Sequence, residues 1–139
     1  MPNRPTEGEP RTICRMHLQH LALAVRDQER SRRFYETYFG FGEGPAQRYP
    51  DGVQMIRNAD GFSLALGPAE GAPSLPPFFH FGFQLAEPEA VRACRERLQA
   101  DGVELVESWE EPFYVSFKCR DPDGYVVEVA WEIPQPDGS

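Results

Sequence analysis

The order of predicted secondary-structure elements repeats along the chain, and this repeat constrains the fold more than any other feature. Each copy is a strand, a helix and then three further strands. The first copy has its elements predicted at 16–25, 27–38, 43–49, 53–58 and 62–67. The second has them at 78–85, 88–100, 103–107, 113–119 and 125–131. Apolar alternation indicates the strands and the helical period indicates the helices, so we predict an α+β protein built from two βαβββ modules.

Glycine and proline positions support these boundaries. Gly40 and Gly102 follow the two predicted helices, where a helix stop is expected. The sequence Asp-Pro-Asp-Gly at 121–124 has its proline and glycine at the favoured positions of a turn between the last two strands.

The length of 139 residues suits one compact domain. We predict that it occupies 16–132, with modules at about 16–67 and 78–132. Residues 1–15 have no apolar periodicity and are predicted to be a disordered N-terminal arm, and 133–139 are predicted to be a tail.

Charge and cysteine content narrow the classes of partner and compartment. The net charge of −8 would repel a nucleic-acid backbone or an anionic membrane surface, so neither partner is expected. The three cysteines, Cys14, Cys94 and Cys119, have no zinc-finger or CxxC spacing, which argues against a disulfide framework or a structural zinc. No apolar run approaches the length of a membrane span, and the cytoplasm is the expected location.

Three stretches carry a resemblance to a known family. They are HLALAVRDQERSRRFYETYFGF from His20, HFGFQL from His80 and DPDGYVVEVAWE from Asp121. Together they resemble the vicinal oxygen chelate superfamily of glyoxalases, bleomycin-resistance proteins, extradiol dioxygenases and fosfomycin-resistance thiol transferases, over about residues 16–132. The resemblance implies two βαβββ modules forming a curled mixed sheet around a cavity that holds a divalent metal.

The resemblance also implies a metal site made of His20, His80 and Glu128. The histidines lie in the first predicted strand of each module, and the glutamate lies in the last strand, after the turn at 121–124. Two imidazoles and one carboxylate suit one divalent transition metal, which would be Fe, Mn, Ni, Co or Zn, and leave positions open for water or substrate. The paired modules are expected to bring these distant residues together.

Strand alternation supports this ligand set, because alternate side chains point to opposite faces of a sheet. The neighbours on the ligand faces are small or polar: Ala22 and Ala24 beside His20, Gly82 and Gln84 beside His80, and Val126 and Ala130 beside Glu128. The opposite faces carry bulky residues such as Phe81 and Phe83, which are predicted to pack against helices.

The chain departs from several branches of the superfamily. Glyoxalases often have a second glutamate where this chain has Ala65, and the fosfomycin enzymes attract a phosphonate in a segment where this chain has Glu110 and Glu111. Extradiol dioxygenases carry further acid/base histidines, whereas only His17 remains here, on the face predicted to be opposite to that of His20.

Polar residues beside the expected ligands are the candidates for substrate contacts. Alternation groups Tyr114 and Ser116 with Lys118, the only lysine of the chain, on the face predicted to point towards the metal. A cation there would bind a carboxylate or enolate, or act as a base if burial lowered its pKa; the alternative is a solvated edge-strand lysine. We therefore predict catalytic roles for Lys118 and Tyr114, and substrate-binding roles for Gln54, Ser63 and Ser116.

Three functional hypotheses follow. The first is a divalent-metal-dependent enzyme, a dioxygenase, lyase/isomerase or thiol transferase, acting on a small oxygenated substrate chelated to the metal. The second is a metal-free protein that sequesters a drug or other small molecule, like the bleomycin-resistance members, for which a charge of −8 would suit a cationic ligand. The third is an accessory domain with a vestigial site. A homodimer is expected in each case, because a curled sheet leaves edges that need cover.

Overall fold

The structure is a computed structural model that describes residues 14–134. The elements of the first module are β1 (His20–Val25), α1 (Gln28–Tyr38), β2 (Gln47–Arg48), β3 (Gln54–Arg57) and β4 (Ser63–Pro68). Those of the second module are β5 (His80–Gln84), α2 (Pro88–Ala100), β6 (Leu105–Glu111), β7 (Tyr114–Arg120) and β8 (Val126–Glu132). The predicted arm at 1–15 and tail at 133–139 lie outside the described residues except for 14–15 and 133–134.

The strands form one mixed four-stranded sheet in each module. The strand order is β1-β4-β3-β2 in the first sheet and β5-β8-β7-β6 in the second. In both sheets the first and last strands of the module pair in parallel, and the other neighbours are antiparallel. The prediction of two βαβββ modules is confirmed, but the two sheets are separate rather than continuous within the chain.

Both helices begin and end where local chemistry favours it. The Asp27 side chain accepts a hydrogen bond from the backbone N–H of Arg30, which caps α1, and Pro88 begins α2, where a missing N–H costs little. Gly40 and Gly102 follow the helices with φ of 75° and 82°, a conformation that favours glycine.

All eight strands differ from their predicted bounds, and the predicted strand at 43–49 is reduced to β2 (Gln47–Arg48). Pairing explains two of the other differences. β1 begins at His20 rather than at residue 16, because its partner β4 begins at Ser63, which pairs with His20. β6 continues to Glu111 and contains a register shift between Leu105 and Glu107, typical of a β-bulge.

A buried turn joins the two modules. It is the Asp-Pro-Asp-Gly turn between β7 and β8, in which Asp121 and Asp123 are almost fully buried. Tyr35 Oη donates to Asp121 Oδ2 at 2.7 Å, and Asp123 Oδ1 accepts from both the backbone N–H and Nε of Arg26 at 3.0 Å. These contacts tie α1 and the end of β1 to the second sheet, so the turn has a structural role that its sequence did not reveal.

The modules share one hydrophobic core. Phe81 stacks on Tyr35 with ring centroids 6.5 Å apart, and Phe83 packs against Phe39 and Phe41 at the end of the first module's helix. The apolar face of the second sheet therefore packs against α1 as well as against α2, and one core cluster includes residues of both modules. No helix between residues 14 and 134 is long and apolar enough to cross a membrane.

Candidate functional site

His80 and Glu128 lie together on the open face of the second sheet. Gly82 of β5 pairs with Glu128 of β8, which places His80 and the glutamate on the same face. His80 Nε2 is 3.5 Å from Glu128 Oε2, and both side chains are mostly buried, with 22% and 16% of their surface exposed. The two ligand types predicted for this module thus meet.

A backbone contact determines which nitrogen of His80 is available. Its Nδ1 lies 2.8 Å from the carbonyl oxygen of Phe78. A carbonyl only accepts, so Nδ1 carries a proton, and Nε2 is the ring nitrogen that faces Glu128. This is the usual arrangement of a histidine metal ligand, in which the second nitrogen donates to an oxygen.

Tyr114 contacts the other oxygen of the carboxylate. Its hydroxyl donates a hydrogen bond to Glu128 Oε1. Burial, followed by the hydrogen bond to Glu128, raises the pKa of Tyr114, so the phenol keeps its proton and remains a donor at neutral pH. Tyr114 can therefore fix the orientation of Glu128.

Lys118 lies on this same face, opposite Glu128 in the register of β7 and β8. Its Nζ forms an ion pair with Glu107 Oε2 at 2.8 Å and lies 5.6 Å from the ring centroid of Phe78. The hydrogen bond from Lys118 holds the pKa of Glu107 below its usual value. Lys118 is thus not a solvated edge lysine, since only 15% of its side chain is exposed.

No sequence pattern indicated that Glu107 belongs to this cluster. Simple alternation would place Glu107 on the face of Leu105, which pairs with the buried Cys119. The register shift between Leu105 and Glu107 instead aligns Glu107 with Lys118 on the open face.

His20 lies on the open face of the other sheet. Its side chain is exposed, and Ser63 is its neighbour in register. Among residues 14–134 of a single chain, no three His, Cys, Asp or Glu side chains lie close enough together to hold a metal ion. The expectation that one chain's paired modules gather all three ligands needs correction, because His80 and Glu128 meet while His20 stays apart.

The shared core explains the separation. Phe81 and Phe83, on the face of β5 opposite to His80, pack against aromatic residues at the end of α1. The Leu23 and Leu66 face of the first sheet is buried and is covered by α1, whose Gln28 donates to the Leu66 carbonyl. Because both apolar faces point into one core, the two ligand faces point out of it.

The other predicted binding residues fall on different faces. Gln54 pairs with Leu66 in the register of β3 and β4, so it lies on the buried helix side of the sheet, opposite to His20. Gln54, for which a substrate-binding role was predicted, therefore does not lie on a ligand face. Ser63 lies on the face of His20, and Ser116 lies on the face of Glu128; both are buried.

Two further features are a buried thiol and a cavity. Burial raises the pKa of the Cys119 thiol to about 12, which fits a packing role rather than a nucleophile. A cavity of about 1090 Å³ between the modules is lined by apolar residues such as Leu21, Phe83 and Val129 and also by His80, whereas neither His20 nor Glu128 lines it.

Comparisons with known proteins agree with this architecture. Residues 17–129 match the model of the glyoxalase/bleomycin resistance protein/dioxygenase superfamily. The chain is 32% identical over 131 residues to the uncharacterized protein PA2024 of Pseudomonas aeruginosa, a match that covers 88% of this chain and 93% of that protein.

Solved structures show the same fold. A possible glyoxalase from Bacillus cereus is 29% identical, with a TM-score of 0.69 over 83% of this chain and 98% of its own. FosX, a fosfomycin resistance protein of Listeria monocytogenes complexed with Mn(II) and sulfate, is 20% identical, with a TM-score of 0.71 over 86% and 93% of the two chains. With its family model matched over most of its length, the chain belongs to the glyoxalase/bleomycin resistance protein/dioxygenase superfamily, as the three sequence stretches had indicated.

Proposed function

We propose that the protein is a divalent-metal-dependent enzyme of the vicinal oxygen chelate type that acts on a small oxygenated substrate. The observation that carries this proposal is the approach of His80 Nε2 to Glu128 Oε2 at 3.5 Å, with the histidine tautomer fixed by Phe78. An imidazole and a carboxylate held in this way fit a transition metal. A bound metal would supply Lewis-acid stabilisation of negative charge on a substrate oxygen.

We further propose that a second copy of the chain completes the site. In one chain the face of His20 and the face of His80 and Glu128 both point out of the shared core. A dimer that apposes these faces would bring His20 of the partner subunit to His80 and Glu128. This arrangement also gives a reason for the homodimer predicted from the sequence.

The surrounding residues have distinct proposed roles. Tyr114 donates to Glu128 Oε1 and orients that carboxylate. Lys118 contributes a cation whose charge is balanced by Glu107, so it would act as a positioned donor rather than as an unpaired positive charge. Ser116 lies beside them on the same face. The candidate reactions are isomerisation, ring cleavage and thiol addition.

A second candidate function is sequestration of a small molecule without a metal. Trp109 lies on the open face of the second sheet, opposite Ser116 in register, and is 44% exposed. An exposed indole near Glu107 and Glu128 would suit a cationic aromatic ligand. Metal binding distinguishes this candidate from the first.

Metal content provides the direct test. We expect wild-type protein loaded separately with Mn(II), Fe(II), Co(II), Ni(II) and Zn(II) to retain about one ion per chain of at least one of them, measured by elemental analysis. Mn(II) comes first because FosX was complexed with it. Glu128→Gln should lose this metal, since it removes the only anionic ligand, while Glu132→Gln, at the exposed end of the same strand, should keep it. Wild-type protein that stays free of all five metals would contradict the proposal.

A glycine beside the carboxylate offers a subtler test. A Cβ at Gly82 would lie 3.2 Å from the Glu128 carbonyl oxygen and 3.3 Å from the Glu128 Cβ. Gly82→Ala should displace Glu128 and weaken metal affinity about 10-fold, measured by chelator competition. Gly67→Ala is the matched control, because a Cβ there would meet only Leu23 O at 3.8 Å. Unchanged affinity in Gly82→Ala would contradict the expected displacement of Glu128.

The compartment stays a proposal as well. We propose the cytoplasm, which is supported by the free state of Cys14, Cys94 and Cys119.

A further inference from the structure

Arg57 stands in a row with His20 across the open face of the first sheet. In the register of β3 and β4, Arg57 is opposite Ser63, and Ser63 in turn is opposite His20 of β1. Residues paired in this way share a face. Neighbouring strands lie about 4.8 Å apart, so the Cα atoms of Arg57 and His20 are roughly 10 Å apart along the row.

The guanidinium of Arg57 has no counter-charge within residues 14–134. Its side chain is half-buried, yet it makes no ion pair or side-chain hydrogen bond with residues 14–134. Two strand cations on the open face of the second sheet, Lys118 and Arg120, are already paired, with Glu107 at 2.8 Å and with Glu104 at 3.0 Å. An unpaired, partly desolvated arginine beside a ligand position favours the approach of an anion.

Ser63 supplies a second, independent observation. It lies between Arg57 and His20 in the row and is only 2% exposed. Its Oγ has no hydrogen-bond partner among the described residues. Buried hydroxyls are normally satisfied, so a hydroxyl without a partner at this position indicates that a bound group completes it.

We infer that Arg57 and Ser63 bind a carboxylate of the substrate, at the end remote from the oxygens that chelate the metal. The inference rests on the proposed metal site, because it assigns the chelating end of the same substrate to His20, His80 and Glu128. It moves the anion-binding role expected for Lys118 to Arg57, since Glu107 already neutralises Lys118. The spacing of roughly 10 Å between the ends of the row suits a short dicarboxylic acid.

Two ligands of the same length test the inference. 2-Oxoglutarate and 2-oxopentanoate share a chelating 2-oxo acid end, but only 2-oxoglutarate has a carboxylate at the other end. In calorimetric titrations of Mn(II)-loaded wild-type protein, we expect 2-oxoglutarate to bind at least about 10-fold more tightly, equivalent to about 1.4 kcal/mol. Arg57→Gln should abolish this preference, and Ser63→Ala should reduce it roughly three-fold.

Arg48→Gln is the matched control. Arg48 is an exposed arginine of the same sheet whose register partner is Gln54, so it lies on the opposite face and should leave the preference unchanged. Equal affinities in wild-type protein, failure of wild-type protein to bind either ligand, or a preference that survives Arg57→Gln would overturn the inference.

The same titrations, repeated on metal-free protein in the presence of a chelator, distinguish failure of this inference from failure of the proposed metal site. Protein that takes up none of the five metals overturns the metal proposal alone, because the preference for 2-oxoglutarate in metal-free protein still depends on Arg57. Light scattering on Arg57→Gln should give the wild-type mass, which shows that the loss of preference is not a loss of assembly.

Discussion

Heterodimers of His20→Ala chains with Glu128→Ala chains are expected to hold about half the metal of wild-type dimers, although neither parent homodimer should hold metal. If the site is shared between subunits, one of the two sites in this heterodimer combines the intact His20 of one chain with the intact His80 and Glu128 of the other. The second site carries both defects. The measurement is elemental analysis of heterodimers isolated through two different affinity tags.

A second pair of variants gives the control for this experiment. In heterodimers of His80→Ala with Glu128→Ala, both changes affect the same half of the shared site, so every site lacks one ligand and no metal should return. If the His20→Ala and Glu128→Ala heterodimers stay empty while wild-type protein binds metal, the site is not shared between subunits. The outcome is close to all-or-none, because three ligands are the least that such a site uses.

Asp123→Ala is expected to lower the free energy of unfolding by about 2–4 kcal/mol, the range for removing one partner of a buried, charged hydrogen-bond network. Asp123 Oδ1 accepts two bonds from Arg26, and its Oδ2 accepts from Ser31 Oγ at 3.2 Å. Without the carboxylate, these donors remain at the joint between modules with no acceptor.

Urea unfolding measures this loss of stability as a lower midpoint concentration of urea, with the dependence of the free energy on urea concentration unchanged. Asp60→Ala provides the control. Asp60 is exposed in the turn between β3 and β4, so this substitution should change the free energy of unfolding by no more than about 0.5 kcal/mol. A midpoint for Asp123→Ala equal to that of Asp60→Ala would mean that the buried turn does not hold the modules together.

Local signals in the sequence were sufficient to predict the elements and the faces of most strands. α2 runs over 88–100 as predicted, because Pro88 favours a helix start and Gly102 favours a helix stop. The alternation around His80 and Glu128 correctly placed both on one face, because β5 and β8 are regular and pair without a bulge. Helix ends and strand faces are properties of single elements, and short-range sequence patterns predict such properties.

The remaining features depend on relations between elements. Glu107 joins Lys118 through a bulge, which no alternation rule anticipates. Gln54 is a polar residue on a buried face, so its polarity pointed to the wrong side of β3. The bulky face of Phe81 predicted packing against a helix, but not that α1 of the other module would contribute. This packing between modules directs the two ligand faces outward. A second subunit is then needed to bring His20 to His80 and Glu128.

The contacts of Tyr125 connect the two halves of the candidate site along a single chain. Its hydroxyl is within hydrogen-bond distance of both the N–H and the carbonyl of Ala24, at 3.1 and 2.9 Å, four residues after His20 in β1. Tyr125 itself lies three residues before Glu128. In the proposed dimer, His20 and Glu128 of one chain contribute to different metal sites. The contacts between Tyr125 and Ala24 therefore link the two metal sites through each chain.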